Sequence, residues 1–474
     1  MLNVLHVSAE CSPFVKIGGL ADVVGSLPNE IKRLKGVDAR VILPFYKSIP
    51  KKYKDKIVDV ANFKFDFEFE ELYVGIKVFK KGNIIYYFID NNFYFGSRDN
   101  VYNYGDEFKR FAYFQLAVLE SLKYLDFDVD IIHVHDWHTA MIPLLLEKKY
   151  KSLKIKTVLS LHNLAYQGVF PLQDYRLFNM EYDTRFEFEG NLNFLKSGIV
   201  TADVITTVSP HYAQEILTDY YGYGMQNLLK QRGSDVIGVL NGIDYNEFNP
   251  LKDKFLTKKY SLEDYQVGKL ENKKALFNKL EIDFPVERPV VSLISRLVNQ
   301  KGIDLIERVF EEMLAVDDFS FIILGSGEAS YENYFKDLEV KFPNKVKAYI
   351  GYSNELAHLI YAASDMFLMP SKFEPCGLGQ IIALKYGTIP IVRETGGLVD
   401  TIEAYNEYEK KGNGFSFSNF NAHDMMHVIR YAIHIYKENK ADWQKLIENA
   451  MNSDYSWRKS AIVYKNIYRD ISKG

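Results

Sequence analysis

The stretch between residues 366 and 401 constrains the fold more than any other part of this sequence. It begins with an apolar run, Met366–Met369, that reads as a short buried strand, and Pro370 ends that strand. A turn with glycines at positions 377 and 379 follows and leads into a helical pattern. A strand that passes through a glycine turn into a helix is the repeating unit of parallel α/β sheets, so we predict an α/β fold.

A strand, a glycine turn and a helix start recur at two other places. The apolar strand Leu2–Val7 is followed by Gly18 and Gly19, and the strand Pro289–Ile294 is followed by Gly302. A chain of 474 residues is also too long for one comfortable core. The length predicts two or three domains, and the recurrence indicates two similar α/β halves.

The predicted domain boundary lies near residue 245. A strand at 236–240 runs into the turn Asn241–Asp244, and a polar, lysine-rich stretch follows to about residue 279. We therefore assign residues 1–245 to the first domain and residues 246–455 to the second.

Composition excludes several classes of partner. The 58 basic and 62 acidic residues leave a net charge of −4, which argues against nucleic acid or an anionic membrane as the main partner. Two cysteines, Cys11 and Cys376, cannot form a disulfide framework and suit a reducing compartment. Because no apolar run approaches membrane-spanning length and no signal-like segment opens the chain, we expect a cytoplasmic protein.

The glycine turn after residue 369 carries chemistry as well as topology. Gly377 and Gly379 let the backbone approach a ligand, and a helix that starts there points free N–H groups at a diphosphate. Glu374, one turn earlier, suits hydroxyl groups rather than phosphate. Backbone N–H groups for a phosphate and a carboxylate for hydroxyl groups together indicate a nucleotide-sugar. Two ordinary strand–turn–helix connections would give the same pattern.

Two cations flank the turn after the strand at 289–294. A diphosphate leaving group gains negative charge as its sugar bond breaks, and Arg296 and Lys301 beside a helix start would stabilise that charge most in the transition state. The alternative for these residues is a solvated basic turn.

Histidines and an aspartate cluster at the strand end 130–138. Their spacing invites a metal site, but it does not match the usual ligand spacing of tetrahedral zinc, so we predict no metal. We interpret His133 and His135 mainly as structural. His162, at the end of the next strand, can donate to a hydroxyl or to an oxygen that gains charge; a histidine packed at a strand edge is the alternative.

An ordered set of motifs covers nearly the whole chain. These are K-I-G-G-L-A-D-V at 16–23, H-V-H-D-W-H at 133–138, S-L-H-N-L-A-Y-Q-G at 160–168, S-R-L-V-N-Q-K-G at 295–302, S-K-F-E-P-C-G-L at 371–378 and R-E-T-G-G-L-V-D-T at 393–401. The set closely resembles bacterial glycogen synthases and plant starch synthases, which are retaining glycosyltransferases. The resemblance implies the GT-B fold, with two facing Rossmann-like domains around an interdomain cleft. It also implies that residues 456–474 form a helix crossing back to the first domain, which would be the starch synthase catalytic domain.

The resemblance implies a reaction. Glucose would pass from ADP-glucose, or from UDP-glucose, to the non-reducing 4-hydroxyl of an α-1,4-glucan such as glycogen, with retention of configuration and no cofactor or metal. A GT-B transferase with a non-glucan acceptor and a non-catalytic glucan-binding relative are the alternatives. No nucleic-acid or membrane partner is implied, and the oligomeric state stays open.

The resemblance assigns site residues motif by motif. The catalytic set is Arg296, Lys301, Glu374, His162 and Asp136. The donor-binding set is Lys16, Gly18, Gly19, Asp22, Tyr352, Cys376, Gly377, Leu378 and Gly379. The acceptor set is Asn163, Tyr94, Tyr166 and Met225. Two positions depart from relatives: Ile382 stands where many retaining GT-B enzymes carry a second glutamate, and Gly379 stands where some carry threonine.

Overall fold

The computed structural model describes residues 1–68 and 70–473. They form two compact units, Met1–Asn241 with Trp457–Gly474, and Gly242–Ser456. The division between them falls after Asn241, whereas the predicted boundary lies near residue 245, and the last helix belongs to the first unit.

The described strands of the first unit build a large mixed sheet in the order β12-β11-β7-β6-β1-β2-β5-β4-β3. Pairing is parallel from β12 through β5, and β4 and β3 continue the edge in antiparallel fashion. A small antiparallel sheet has the order β8-β10-β9. The strands are β1 (Leu2–Val7), β2 (Val37–Pro44), β3 (Val58–Phe67), β4 (Glu70–Lys81), β5 (Ile84–Asp90), β6 (Ile131–His135), β7 (Lys156–Leu161), β8 (Val169–Pro171), β9 (Glu187–Phe188), β10 (Asn191–Asn193), β11 (Val204–Thr207) and β12 (Val236–Gly238).

Helices connect the parallel strands of this unit. They are α1 (Gly19–Arg33), α2 (Lys51–Lys54), α3 (Glu107–Ser121), α4 (Ile142–Lys149), α5 (Phe194–Thr201), α6 (Pro210–Glu215) and α7 (Gln226–Arg232). The strand order reverses between β1 and β6, which are neighbours although separated in sequence. In open α/β sheets, ligands bind beyond the carboxyl ends of the strands at such a switch point.

The second unit is a parallel sheet with the order β15-β14-β13-β16-β17-β18, the order typical of dinucleotide-binding folds. Its strands are β13 (Val290–Ile294), β14 (Ser320–Gly325), β15 (Val346–Ile350), β16 (Met366–Met369), β17 (Ile389–Arg393) and β18 (Phe415–Phe417). Its helices are α8 (Tyr265–Leu280), α9 (Ile303–Val316), α10 (Ala329–Lys341), α11 (Asn354–Ala363), α12 (Gly379–Lys385), α13 (Gly397–Thr401), α14 (Ala422–Glu438) and α15 (Lys440–Asn452). The switch point lies between β13 and β16, so the α/β prediction is confirmed in both units.

The last helix, α16 (Trp457–Ile471), completes the core of the first unit. Trp457, Tyr464 and Tyr468 are buried against a cluster that includes Val4 and Ile131 of the central strands. These aromatic residues therefore serve packing, which anchors the C-terminal segment to the first unit. Across the described helices, none combines the length and apolar character that a membrane span requires.

Candidate functional site

The predicted cation and carboxylate of the second unit form an ion pair. Lys301 follows β13, Glu374 follows the neighbouring strand β16, and Lys301 Nζ lies 2.5 Å from Glu374 Oε2. The hydroxyl of Ser371 donates to the same carboxylate oxygen over 3.0 Å. Both charged side chains are largely buried, with 16% and 9% exposure. The topological switch point therefore holds a desolvated charge pair at the place where the fold class puts ligands.

Arg296 lies in the same turn but is exposed. No carboxylate or carbonyl in residues 1–68 and 70–473 accepts a hydrogen bond from its guanidinium. An exposed guanidinium without an acceptor among these residues, next to a paired lysine, is available for an anion such as a phosphate, which its planar fork binds through two parallel hydrogen bonds.

Glycines in two of the motifs hold the backbone around Glu374. Gly302 has φ of +70°, and a Cβ there would lie 2.0 Å from Pro370 O. Gly396 has φ of +47°, and a Cβ there would lie 2.0 Å from Glu374 O. Side chains at either position would push away the loop that carries Glu374. These glycines serve loop packing, which the sequence alone did not distinguish from ligand approach.

The glycine turn before α12 presents free backbone donors. The N–H groups of Gly377 and Leu378 have no acceptor within the described part of the chain. The side-chain amide of Gln380 donates to the carbonyls of Cys376 and Gly377 over 3.0 and 3.1 Å. These hydrogen bonds hold the two carbonyl groups of the turn toward α12. Outward N–H groups without acceptors suit an anionic ligand.

Two other residues predicted to bind the donor differ in their surroundings: Tyr352 is exposed, and Gly379 packs against a ring. Tyr352, just after β15, is 79% exposed, so its ring is free to stack on a base. At Gly379 a Cβ would lie 2.9 Å from the Phe367 ring, so glycine here follows from packing and a threonine would require the ring to shift.

The corresponding turn of the first unit follows β1. Lys16 Nζ lies 2.7 Å from Asp22 Oδ1, with 50% and 28% of these side chains exposed. A Cβ on Gly18 or Gly19 would meet no atom within 4 Å, so these glycines leave open space instead of fitting against a neighbour. That space is compatible with a ligand lying close to the backbone.

Glu10 shapes this turn, and it was not among the predicted residues. It is 4% exposed, and its Oε2 accepts hydrogen bonds from the N–H groups of Ile17 and Gly18 over 2.6 and 3.0 Å. Its other oxygen accepts from the Tyr102 hydroxyl over 2.6 Å. The signal that could have identified Glu10 is its position, since an acidic residue three positions beyond a buried strand lies where a parallel sheet places its site.

Asp136 and His162 meet at the carboxyl ends of β6 and β7. Asp136 Oδ1 accepts from the backbone N–H of His162 over 2.7 Å, and Asp136 itself has φ of +56°. Burial raises the pKa of Asp136 to about 7, against the opposing effect of N–H donors from His162 and Asn163. The two predicted residues are thus brought together, with the aspartate poised between charged and neutral forms at neutral pH.

Histidines fill the core behind this pair. The ring nitrogens of His6, His133 and His135 that could bind a metal lie within 4.8 Å of one another. His133 bonds Tyr468 Oη and Ser160 Oγ, each over 2.7 Å, and both nitrogens of His135 contact other imidazoles. The nitrogens are thus mostly engaged in hydrogen bonds. The absence of a metal requirement stays a prediction.

An aromatic cavity is lined by one of the predicted acceptor residues, Tyr166. Its volume is about 620 Å³, and its walls include Trp137, Phe170, Tyr223 and the predicted Tyr166, which is 60% exposed. Asn163 lies three residues before Tyr166, on the same loop. Aromatic walls on an open cavity suit the apolar faces of sugars. Trp137, Phe170 and Tyr223 were missed because only the folded loops bring them together.

Two predicted acceptor residues are buried. Tyr94 is 3% exposed and packs against Phe67 and Tyr113, and Met225 has no exposed surface. A glucan could reach either side chain only if this packing opened, so their placement does not support the acceptor assignment. The physical reason is that an aromatic or methionine residue in a loop near a site still gains most by joining the core.

The titration of Asp136 gives a pH-dependent prediction. The pKa of Asp136 is about 7 in the folded protein and 3.8 ordinarily, so folding favours its protonated form. The stabilisation that this carboxyl gives is therefore complete below about pH 4 and is lost as the pH rises to about 7. Asp136→Asn removes this titration and still accepts from the N–H of His162. We expect the variant to be more stable than the native chain at pH 8 by roughly 2–4 kcal/mol, with the difference vanishing near pH 4. Denaturant unfolding at both pH values measures it, and an equal difference at both would contradict the assignment.

Known proteins resemble this chain over nearly its whole length. The sequence profile described as "Starch synthase catalytic domain" matches residues 3–231, and that described as "Glycosyl transferases group 1" matches residues 275–452. The chain is 47% identical to "Glycogen synthase" of Bacillus cereus (strain Q1) over 484 aligned residues, covering 99% of this chain and 100% of that protein. It is 46% identical to "Glycogen synthase" of Geobacillus thermodenitrificans (strain NG80-2), covering 100% and 98%.

A solved structure of a starch synthase indicates the same family. The catalytic domain of Starch Synthase IV from Arabidopsis thaliana, bound to ADP and acarbose, superposes with a TM-score of 0.90 at 33% identity, covering 100% of both chains. Sucrose-phosphate synthase from Thermosynechococcus elongatus matches with a TM-score of 0.64 at 14% identity over 99% of both chains, which is a likeness of fold alone.

Proposed function

Since this chain belongs to the glycogen and starch synthase family of glycosyltransferases, we propose that it transfers glucose from ADP-glucose to the non-reducing end of an α-1,4-glucan, with retention of configuration. One observation carries the proposal. The switch point of the second unit combines a lysine–glutamate pair with a guanidinium and backbone N–H groups that have no acceptor among the described residues, and these groups together match the phosphates and hydroxyls of a nucleotide-sugar.

The donor reaction follows from these groups. As the bond from glucose to diphosphate breaks, negative charge grows on the leaving oxygen, and Arg296 and Lys301 stabilise it. Lys301 and Ser371 both contact Oε2 of Glu374, which leaves Oε1 for a glucose hydroxyl. Lys16 and Asp22 are assigned to the donor as well, with the lysine directed to the phosphates.

The acceptor reaction is assigned to the first unit. The aromatic cavity would hold the glucan, and His162 and Asp136 would contact its terminal sugar. The attacking hydroxyl arrives on the face that the diphosphate leaves, which retains the configuration without a covalent enzyme intermediate. Exclusion of water matters because hydrolysis of the donor competes with transfer.

The choice of donor is tested by measuring release of nucleoside diphosphate from ADP-glucose and from UDP-glucose, each with and without glycogen. We expect faster release from ADP-glucose, in keeping with the ADP bound to the Arabidopsis relative, and a strict need for glycogen. Faster release from UDP-glucose would change the donor, and release regardless of glycogen would favour another acceptor. No release, with glycogen binding intact, would favour a non-catalytic glucan-binding protein.

We also propose that no cofactor or metal is needed and that the protein works in a reducing, cytoplasmic setting. Leaving-group charge is met by Arg296 and Lys301, and neither Cys11 nor Cys376 forms a disulfide within the described residues. A chelator should leave the rate unchanged, and loss of activity that added metal restores would refute the first part.

The cavity assignment predicts an effect on glucan affinity. Tyr166→Ala removes an exposed ring from the cavity wall, and a stacking contact of about 1 kcal/mol corresponds to roughly a fivefold rise in KM for glycogen. The KM for the donor should not change. Tyr408→Ala is the matched control, because that ring is 89% exposed in the second unit. Equal effects of both substitutions on glycogen KM would contradict the assignment.

A further inference from the structure

Three imidazole rings form a chain from the site into the core of the first unit. His162 Nε2 lies 3.0 Å from His135 Nδ1, and His135 Nε2 lies 3.1 Å from His6 Nδ1. His6 and His135 are fully buried, and His162 is half-buried at the end of β7. The proposed reaction uses His162 and gives no role to the two rings behind it.

All three rings are neutral at neutral pH. Burial lowers the pKa of His6 and of His162 to about 3, and burial with neighbouring histidines lowers the pKa of His135 well below its ordinary value. A neutral imidazole has one N–H and one lone pair. Each contact in the chain needs one donor and one acceptor, so all the N–H groups must point the same way along it.

Two proton arrangements satisfy this requirement. In the first, His6 donates to His135 and His135 donates to His162, which leaves the proton of His162 on Nδ1. In the second, every donor is reversed, and His6 Nε2 carries an N–H. The tautomer of the site histidine is therefore coupled to the protonation of a nitrogen in the core.

The surroundings of His6, the innermost of the three imidazoles, decide between the two proton arrangements. His6 Nε2 has no hydrogen-bond partner within the part of the chain that the structure describes. Folded proteins leave buried N–H groups without an acceptor more rarely than acceptors without a donor, which favours the first arrangement. We propose that His135 is a positioning residue that holds His162 as the Nδ1–H tautomer, so that His162 donates a hydrogen bond to the substrate. The use of that donor rests on the proposed function, whereas the tautomer does not.

His133 provides a matched control within the same core. It lies on β6 two residues before His135, is fully buried, and stacks on the His135 ring with centroids 4.3 Å apart. Its nitrogens bond Tyr468 and Ser160 and take no part in the chain. His133→Leu should damage the core as much as His135→Leu does, without touching the tautomer of His162.

The test is nitrogen NMR of protein labelled with ¹⁵N-histidine, which shows directly which ring nitrogen carries the proton. The His162 signals are assigned by their loss in His162→Gln. We expect Nδ1–H in the native chain and in His133→Leu. In His135→Leu the ring should revert to Nε2–H, the tautomer that an isolated imidazole prefers. His135→Gln offers an amide donor to His162 Nε2 and should restore Nδ1–H in part.

Turnover gives the second readout. We expect kcat to fall about tenfold in His135→Leu with the donor KM unchanged, and to recover partly in His135→Gln. The proposal would be overturned if native His162 carried its proton on Nε2, or if the tautomer were unchanged in His135→Leu. Stoichiometric binding of zinc by His6, His133 and His135 would also overturn it. If His135→Leu fails to fold, the tautomer of His162 in the native protein and in His135→Gln still tests the proposal. A tautomer switch in a protein that transfers no glucose would support the positioning role and reject the proposed function.

Discussion

Replacing Lys301 by alanine should lower kcat by about 10²–10³-fold and also destabilise the fold. The rate falls because one cation that meets the leaving diphosphate is gone. Stability falls because Glu374, whose side chain is 9% exposed, is left as a buried carboxylate without its cation, a loss of about 3–5 kcal/mol for such pairs. Steady-state kinetics and denaturant unfolding measure the two effects separately.

A double variant separates these two consequences. Lys301→Ala with Glu374→Gln removes the stranded charge, and the Ser371 hydroxyl can still donate to the amide oxygen. We expect most of the lost stability to return while kcat stays low or falls further. If kcat returned with stability, the lysine would act only by supporting the fold, and its assignment to the leaving group would be wrong.

Replacing Arg296 by alanine should lower kcat by about 10²–10³-fold with almost no effect on stability. The guanidinium is exposed and contacts no acceptor in the described residues, so its loss should change the free energy of unfolding by no more than about 0.5 kcal/mol. Product release from saturating donor and glycogen gives the rate, and thermal or denaturant unfolding gives the stability.

Two controls sharpen this result. Arg296→Lys keeps the charge but loses the planar fork, so an intermediate rate is expected. Arg308→Ala removes another exposed arginine of the second unit, on α9, and should leave kcat unchanged. An Arg296→Ala variant as active as Arg308→Ala would show that the turn is merely a solvated basic segment.

The sequence predicted much of what local pattern determines. The strands at 2–7 and 366–369 with the glycine turns after them, and the strand at 131–135 with its polar loop, follow from apolar runs ended by turn or polar residues. The ordered motifs identified the family. The motifs also predicted that Lys301 and Glu374 share a site, although 73 positions separate them, because parallel strands end at one edge of the sheet.

What the sequence could not give depends on tertiary packing. The ion pair between Lys301 and Glu374, the buried Glu10 that holds the turn after β1, and the burial of Tyr94 all arise from neighbours distant in sequence. Residue type alone also left the role of Gly396 open, since a glycine that approaches another backbone looks the same as one that approaches a ligand.

The most direct test of the account follows glucose from donor to product. ADP-glucose labelled in the glucose is incubated with glycogen, and the polymer is then digested with β-amylase, which removes maltose from non-reducing ends through α-1,4 bonds. If the chain catalyses the proposed transfer, label enters the polymer and leaves it as maltose, and Arg296→Ala slows its entry by about 10²–10³-fold. Label that stays out of the polymer, or that β-amylase cannot release, would contradict the transfer proposed here.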